Sequence, residues 1–260
     1  MDSIEQFFVR VKREQKLEVL TRFLEVEQVD GVIIFSRTKN SSNELAEKLQ
    51  ARGYAAASLN GDMKQSAREK VIDRLKASKL DIVVATDIAA RGIDVDRITH
   101  VINFDIPYDT ESYIHRIGRT GRAGRKGKAI LFVTPRERNM LRDIEHAIQR
   151  PIDEAAAPTV EEMMTLRHQQ LGETLAGIIN KSKKVGAYYD VVDTVTEQAQ
   201  CTHRDVAAAI AYLMYQASPL PDEDLSPAIS DKKKKRRKPQ SSGPKKKYGA
   251  KSKKKNRSPR

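Results

Sequence analysis

Strand-like and helix-like hydrophobic patterns alternate along the first 150 residues, and this alternation constrains the fold more than any other feature. Short β-rich apolar runs are separated by segments in which apolar residues recur every three or four positions, as on one face of a helix. Runs as continuously apolar as 82–85, joined through helices, are typical of parallel strands buried on both faces. The sequence therefore predicts an α/β fold with an open, doubly wound parallel sheet. The predicted strands are 7–11, 32–35, 55–59, 82–85, 101–104 and 129–133.

The predicted helices between these strands carry recognisable end signals. Ser41 or Ser42 is expected to cap the start of the second helix, and Gly53 follows its end where a C-terminal cap residue belongs. In open sheets of this kind, ligands bind at the carboxyl ends of the strands. The loops that follow the strands are therefore the first place to look for chemistry.

The pattern changes after Pro151, where no strand-like period follows. Residues 155–158 are interpreted as a linker, and Thr159 with Glu162 then matches a capping box at the start of a helix. Helical spacing predicts a small all-α module with three helices. Such a module is too small to bury all its apolar faces alone, so we expect it to dock or to self-associate. The inner face of its third helix is predicted to contain Val206, Ile210, Leu213 and Met214.

Charge divides the chain into the same parts. The 260 residues have a formal net charge of +13, but residues 151–231 carry −8 and residues 232–260 carry +16. The segment 219–260 combines Pro, Ser, Gly and charge with few apolar residues, so it is predicted to be a disordered basic tail. No apolar run approaches the roughly 18 residues of a membrane helix. The single cysteine, Cys201, excludes an intrachain disulfide and favours a reducing compartment.

An arginine- and glycine-rich run at 113–128 is the strongest functional signal. Guanidinium groups present forked donors that suit phosphate oxygens, and glycines would let the backbone approach a ligand closely. A solvated RNA-binding loop of the disordered kind is the alternative on composition alone. Because the run lies between two predicted strands, we expect the fold to hold it in place. Its arginines include Arg116, Arg119, Arg122 and Arg125, and its glycines are Gly118, Gly121, Gly124 and Gly127.

The segment 83–95 leaves a predicted buried strand and at once presents polar side chains. The hydroxyl of Thr86 and the cation of Arg91 can hold a nucleic-acid phosphate. The carboxylate of Asp94 can hold a ribose hydroxyl or an attacking water. For Asp87 we favour a simpler interpretation, in which it caps a helix.

Two further segments follow predicted strands in the same way. In 59–69, Gln65 and Arg68 lie one helical turn apart, so both could face a phosphate backbone. In 35–39, Phe-Ser-Arg-Thr-Lys closes the second strand. Each segment is weak evidence by itself.

Taken in order, these segments resemble the motifs of the second RecA-like lobe of DEAD-box RNA helicases. Phe-Ser-Arg-Thr at 35–38 is similar to motif IV, and the segment 59–69 is similar to motif IVa. Ala-Thr-Asp-Ile-Ala-Ala-Arg-Gly-Ile-Asp at 85–94 is similar to motif V, and His-Arg-Ile-Gly-Arg-Thr-Gly-Arg at 115–122 to motif VI. The resemblance covers 4–150.

The resemblance implies a role for each matching residue. Arg119 and Arg122 would be catalytic arginine fingers that reach the γ-phosphate of ATP, where they would stabilise charge as the phosphoryl group leaves. Asp94 would contact the ribose and the catalytic water. Arg91 and His115 would couple the nucleotide and RNA sites across two lobes, although a purely structural role for His115 is an equal alternative. RNA phosphates would be held by Arg37, Thr38, Gly61, Gln65, Arg68 and Thr86.

Two signatures of a complete nucleotide site are absent from the 260 residues. Neither Gly-x-x-x-x-Gly-Lys-Ser/Thr nor Asp-Glu-Ala-Asp after a hydrophobic strand occurs. We therefore expect an N-terminal RecA-like lobe outside this chain to supply the phosphate cradle and the Mg²⁺ ligands, and we expect no metal site here. The expected function is the C-terminal half of an ATP-dependent RNA helicase, inactive by itself. The alternative is a non-catalytic RNA-binding adaptor that retains the lobe's fold.

Residues 159–218 more loosely resemble the helical, dimer-forming region of cold-shock bacterial DEAD-box helicases. This resemblance implies a homodimer through these residues and a cytoplasmic location. The lysine runs of the tail give a nuclear alternative, since such runs occur both as import signals and as RNA-binding tails. The predicted domains are a RecA-like lobe at 1–150, a helical module at 151–218 and a disordered tail at 219–260.

Overall fold

A computed structural model describes residues 3–27, 29–182 and 184–216. The predicted disordered tail, 219–260, lies outside these residues. Seven strands form one sheet in the order β3-β4-β2-β5-β6-β1-β7, and every pairing is parallel. The strands are β1 (Ile4–Arg10), β2 (Gly31–Phe35), β3 (Ala56–Leu59), β4 (Ile82–Ala85), β5 (Ile98–Asn103), β6 (Gly127–Val133) and β7 (Asp153–Glu154).

Helices cover both faces of the sheet, and a helical module follows it. The lobe's helices are α1 (Lys16–Val26), α2 (Lys39–Gln50), α3 (Gln65–Lys76), α4 (Asp87–Ala90), α5 (Thr110–Ile117) and α6 (Arg138–Ile148). The module contains α7 (Val160–Lys181), α8 (Tyr189–Ala199) and α9 (His203–Gln216). None of the helices in the described part of the chain is long and apolar enough to cross a membrane.

The packing explains why the strands read as unbroken apolar runs. In β4, Ile82 and Val84 join the core beneath α1 and α2, whereas Val83 and Ala85 join the core beneath α3 and α4. A third core lies between β1, β6, α5 and α6. The sheet is therefore buried on both faces, as predicted, and the doubly wound α/β fold is confirmed.

The start of α2 corrects one expectation about capping. Thr38, not Ser41 or Ser42, is the N-cap, and its side chain accepts a hydrogen bond from the backbone N–H of Ser41. The Ser41 hydroxyl in turn accepts from the backbone N–H of Thr38, which completes a capping box. After the helix, Gly53 has φ +87°, the left-handed conformation expected of a residue that follows a helix end.

The segment interpreted as a linker belongs to the packed lobe. Strand β7, which the sequence did not predict, pairs with β1, and the backbone N–H of Ala155 donates to the carbonyl of Phe8 at 2.9 Å. The carbonyl of Pro158 accepts a hydrogen bond from Arg22. Two exposed residues carry no hydrophobic alternation, so β7 left no sequence signal. These contacts favour a lobe boundary near Pro158, and the three-part domain division stays a prediction.

The helical module matches its predicted elements but not its predicted inner face. The capping box of Thr159 and Glu162 is present at the start of α7. Near that end Met163 is fully buried, and a forked pair between Arg167 and Glu25 ties α7 to α1. On α9 only Val206 of the predicted apolar face is buried. Ile210, Leu213 and Met214 are exposed, because too few partner residues surround them.

A charge cluster holds the amino end of the sheet. Glu27, just beyond α1, accepts two hydrogen bonds of 2.8 Å from Lys128 of β6, and its carboxylate lies 3.7 Å from His100 of β5. These contacts with His100 and Lys128 lower the pKa of Glu27 to about 2. A carboxyl group with a depressed pKa in the folded state stabilises the fold above its ordinary pKa of about 4.3. That stabilisation is lost as the pH falls from about 5 towards 2.

We therefore predict a pH-dependent cost for Glu27→Gln. The variant should lose about 1–2 kcal/mol of unfolding free energy at pH 7, because Lys128 loses its partner. The difference in unfolding free energy between the two proteins should shrink at pH 3, because the Glu27 carboxyl group of the unfolded chain is largely protonated there. Urea unfolding of both proteins at pH 7 and at pH 3 measures this difference in unfolding free energy. Glu44→Gln, at an exposed pair with Lys48, is the matched control and should cost less than about 0.5 kcal/mol.

Candidate functional site

The carboxyl ends of three neighbouring strands bring the predicted RNA-contacting segments together. Phe35 of β2 and Leu59 of β3 both pair in register with Ala85 of β4, so the three strands end at one level. The residues that follow them emerge side by side at this edge, as expected for parallel strands. They include Arg37, Thr38, Gly61, Gln65 and Thr86.

Several of these side chains already have protein partners. The Thr38 hydroxyl caps α2, and Gln65 donates to Glu69 at 2.9 Å. Arg68 donates to the carbonyls of Ala89 and Arg91, so the start of α3 holds the loop after α4. The edge is therefore tied together by its own polar side chains. The RNA-binding roles of these residues stay a prediction.

Arg37 is held from three sides at the same edge. Its backbone N–H donates to Asp105 at 3.0 Å, and its guanidinium lies 3.3 Å from Glu137. The guanidinium carbon also lies 5.1 Å from the ring centroid of Tyr108, a cation–π distance. Asp105 is further fixed by Lys16 at 3.0 Å. Three loops, after β2, β5 and β6, are thus joined around Arg37.

Arg116, on α5, is the central polar residue of the site. It is only 2% exposed, and its guanidinium forms a forked pair with Asp87 at 2.5 and 2.8 Å. It also donates to the side chain of Asn103 and to the carbonyl of Asp105, and it lies over the ring of Phe35 at 4.9 Å. One buried cation therefore joins the arginine-rich run to the ends of β2, β4 and β5.

Arg116 has no individual role among the sequence-based predictions, and no helix is predicted at α5. The sequence does contain a helical signal there, because Tyr113, Arg116 and Ile117 lie at helical spacing. In the structure all three side chains are buried. The expectation for Asp87 is corrected in the same way. Asp87 is the first residue of α4 rather than its N-cap, and Arg116 is its partner.

The three residues with expected nucleotide roles lie together beyond the end of α5. Arg122 forms an ion pair with Asp94 and donates to the carbonyl of Gly118 at 2.9 Å. Arg119 donates to the carbonyl of Ile93 at 3.1 Å. Asp94 is largely exposed, with 81% of its side chain open to solvent. The loop after α4 and the arginine-rich run thus form one cluster.

Arg119 has no carboxylate partner in the described part of the chain. Burial lowers the pKa of its guanidinium from the ordinary value, and the positive charge of Arg122 lowers it further. Two guanidinium groups beside one another, with only one acid to balance them, favour an anionic ligand.

Arg91 and His115 lie between the predicted RNA-contacting residues and the cluster of Arg119, Arg122 and Asp94. A cleft between α4 and α5 is lined by both of them, with Asp87, Arg116 and Arg119. His115 is exposed and lies on the solvent side of α5. This position fits a coupling role and a structural role equally well.

Two glycines of the run, Gly121 and Gly127, have a packing role that the sequence did not predict. Gly121 has φ +68°, and a Cβ there would lie 2.7 Å from the side chain of Ile4. At Gly127 a Cβ would lie 2.6 Å from the backbone nitrogen of Gly121. These two glycines let the run fold tightly against β1 and β6.

The described residues contain no group of three or more His, Cys, Asp or Glu that could hold a metal ion. Around Arg91, Arg116, Arg119 and Arg122 the charged side chains are cationic apart from Asp94 and Asp87. This donor set suits the phosphates of a nucleotide and does not suit Mg²⁺.

Comparison with known proteins agrees with these motifs. The model of the helicase conserved C-terminal domain matches residues 15–124, and that of the RNA helicase DeaD dimerization domain matches residues 158–225. The lobe is similar to a crystal structure of the E. coli DEAD-box protein SrmB bound to regulator of ribonuclease activity A. The identity is 38% and the TM-score 0.56, over 58% of this chain and 90% of that one. This chain belongs to the DEAD-box RNA helicase family.

Two further relatives support the assignment to the DEAD-box family. The ATP-dependent RNA helicase DeaD of Mycobacterium tuberculosis is 45% identical over 210 residues, which are 81% of this chain and 37% of that protein. The S. cerevisiae protein Dbp5 bound to RNA and ADP BeF3 is 32% identical with a TM-score of 0.59, over 65% of this chain and 46% of that one. The chain thus spans well under half the length of its mycobacterial relative.

The buried position of Arg116 predicts that lysine cannot replace it in this DEAD-box lobe. Arg116→Lys keeps the charge but loses the fork, so Asp87, Asn103 and the carbonyl of Asp105 lose partners. We expect a loss of about 3 kcal/mol of unfolding free energy. Urea unfolding measures it.

The matched control is Arg125→Lys, whose side chain is 57% exposed. It should change stability by less than about 0.5 kcal/mol. An Arg116→Lys protein as stable as the control would contradict the central role given to this residue.

Proposed function

We propose that this chain is the C-terminal half of an ATP-dependent RNA helicase, which supplies arginine fingers and RNA-backbone contacts for RNA unwinding and remodelling. One observation carries the proposal. Arg119 and Arg122 lie side by side next to Asp94, and Arg119 has only a backbone carbonyl as its partner among the described residues. This is an incomplete charge cluster, which a nucleotide phosphate would complete.

Arg119 and Arg122 would act on the terminal phosphate of ATP. As the phosphoryl group leaves, negative charge develops on its oxygens, and nearby guanidinium groups stabilise that charge without moving a proton. The ion pair between Arg122 and Asp94 would open when the nucleotide binds, which frees the carboxylate for the ribose. Mg²⁺, held by an N-terminal RecA-like lobe, would neutralise the remaining phosphate charge.

RNA would bind at the carboxyl edge of β2, β3 and β4. Arg37, Thr38, Gly61, Gln65, Arg68 and Thr86 would hold its phosphates, so binding would not depend on base sequence. The structure of S. cerevisiae Dbp5 bound to RNA and ADP BeF3 supports both parts of this proposal.

The two sites would communicate through short, rigid connections. Arg68 holds the carbonyls of Ala89 and Arg91 in the loop that leads to Asp94. Arg116 joins the start of α4 to the helix that leads to Arg119. A displacement of the strand edge where RNA is proposed to bind would therefore shift Arg119, Arg122 and Asp94. Arg91 and His115 lie between that edge and those three residues.

The arginine fingers give the direct test. In a protein where a DEAD-box N-terminal lobe precedes this chain, Arg119→Lys or Arg122→Lys should reduce RNA-stimulated ATP turnover by about 10³–10⁵. Lysine keeps the charge but loses the forked donors. Steady-state phosphate release with saturating RNA measures the change.

Arg125→Lys is the control for this experiment, because Arg125 belongs to the same run but lies at the surface, 3.8 Å from Asp30. It should retain turnover near the parent value. If both finger variants keep activity within about threefold of the parent, the arginine-finger assignment is wrong. The non-catalytic RNA-binding adaptor, the alternative function, would then be favoured.

We further propose that the helical module forms a homodimer, in the cytoplasm of the cell. Among the described residues, most of the exposed large hydrophobic side chains lie on its helices, and residues 158–225 match a dimerization domain. A second copy would cover this surface and gain its hydrophobic free energy. The exposed side chains include Leu175, Ile178, Ile179, Tyr188, Tyr189, Val191, Val195, Ile210, Leu213 and Met214.

Self-association is predicted to depend on these side chains. Sedimentation equilibrium of the full chain should show a concentration-dependent dimer. Ile179→Glu with Leu213→Glu should raise the dimer dissociation constant by about tenfold or more, because each charge would be buried in the interface. Gln170→Glu, an exposed polar position on α7, should leave the dimer intact. A wild-type protein that is monomeric at high concentration would contradict the proposal.

A further inference from the structure

Tyr108 is an exposed aromatic side chain at the edge where RNA is proposed to bind. It lies beyond the carboxyl end of β5, directly before Asp109, the N-cap of α5. The residue is 73% exposed. Among the described residues before α7, only Tyr108 and Ile88 are large apolar side chains with this degree of exposure. No packing requirement of the lobe explains an aromatic ring here.

The ring is held on one side. The guanidinium carbon of Arg37 lies 5.1 Å from the ring centroid, and Glu137 holds that guanidinium at 3.3 Å. Asp105 fixes the backbone of Arg37 at 3.0 Å. The arginine under the ring is therefore fixed at both ends, and the high exposure of Tyr108 leaves the remainder of the ring open to solvent.

We propose that Tyr108 is a stacking platform for one base of the bound single-stranded RNA, with Arg37 supporting the ring from the other side. This inference rests on the proposed function, because it requires RNA at this edge. Thr38, which follows Arg37 directly, is one of the proposed phosphate contacts. A strand held there by its phosphates brings its bases within reach of neighbouring loops.

The chemistry favours a base as the ligand of this ring. Every base has a π-face, so an aromatic side chain stacks with RNA in a sequence-tolerant way, worth about 1–3 kcal/mol per base. A cation on the opposite face of the ring adds a further attraction. Because Glu137 already holds the guanidinium of Arg37 against the ring, binding of a base requires little additional ordering of side chains.

The test compares RNA with an abasic strand of equal charge. Fluorescence anisotropy would measure the affinity of the full 260-residue chain for a uridine oligonucleotide of about ten residues, and for an abasic ribose-phosphate strand of equal length. The lysine-rich segment contributes to both, since both carry the same phosphates. Tyr108→Leu should weaken uridine binding by about 5-fold or more and leave abasic binding unchanged.

Tyr108→Phe is the matched control, because it keeps the ring and loses only the hydroxyl. It should bind both strands within about twofold of wild type. As a second measurement, 2-aminopurine placed along the oligonucleotide should be quenched at one position by the wild type and by Tyr108→Phe, and not by Tyr108→Leu. This signal reports stacking even where the basic segment dominates the affinity.

Each result distinguishes the inference from the function beneath it. Equal losses of affinity for the uridine and abasic strands would show that Tyr108 acts on the RNA backbone or on its own loop. Unchanged uridine affinity with no position-specific quenching would show that no base stacks on Tyr108. Either result overturns the inference while RNA binding itself stands. If substitution of Arg68 and Thr86, with Tyr108 retained, leaves both the uridine affinity and the position-specific quenching unchanged, the proposed RNA-binding edge is wrong.

Discussion

The forked ion pair between Arg116 and Asp87 is the interaction on which the rest of the site depends. A guanidinium that is 2% exposed has lost nearly all its water, and that loss is costly unless every donor finds an acceptor. Here Asp87, Asn103 and the carbonyl of Asp105 provide those acceptors, and the ring of Phe35 covers one face. These partners come from the ends of three strands. The geometry of the edge is therefore set by the requirement to satisfy one buried charge.

The same requirement explains why the arginines of one run behave so differently. Arg116 is fully satisfied and fixed, Arg122 has one acid, and Arg119 has only a backbone carbonyl within the described residues. Arg116, which lies nearest the sheet, thus holds α5 in place. Arg119 and Arg122 lie beyond it and keep hydrogen-bonding capacity for a ligand. Fixed donors that need no rearrangement are the arrangement that stabilises a developing charge.

Much of this architecture could be predicted from the sequence, because buried parallel strands such as Ile82–Ala85 leave a continuous apolar signal. Motif order likewise identified the family, and the in-register parallel strands place the loops that contain these motifs at one edge. Other features left no such signal. Strand β7 has two exposed residues and is defined by its pairing with β1. The packing role of Gly121 depends on Ile4, which is distant in sequence. The exposure of Ile210 and Leu213 depends on which neighbours are absent, and hydrophobic periodicity cannot give that.

The charge balance around Arg119, Arg122 and Asp94 also favours the proposed pairing with a second lobe. Arg119 and Arg122 can place two positive charges on a phosphate, but the described residues offer no group of ligands for a metal ion. Two guanidinium groups cannot by themselves neutralise a triphosphate and also position an attacking water. In the proposed helicase, a second surface with a phosphate cradle closes over this one. Under that proposal, the catalytic site would form only when both lobes meet, so ATP turnover would depend on RNA that holds the lobes together.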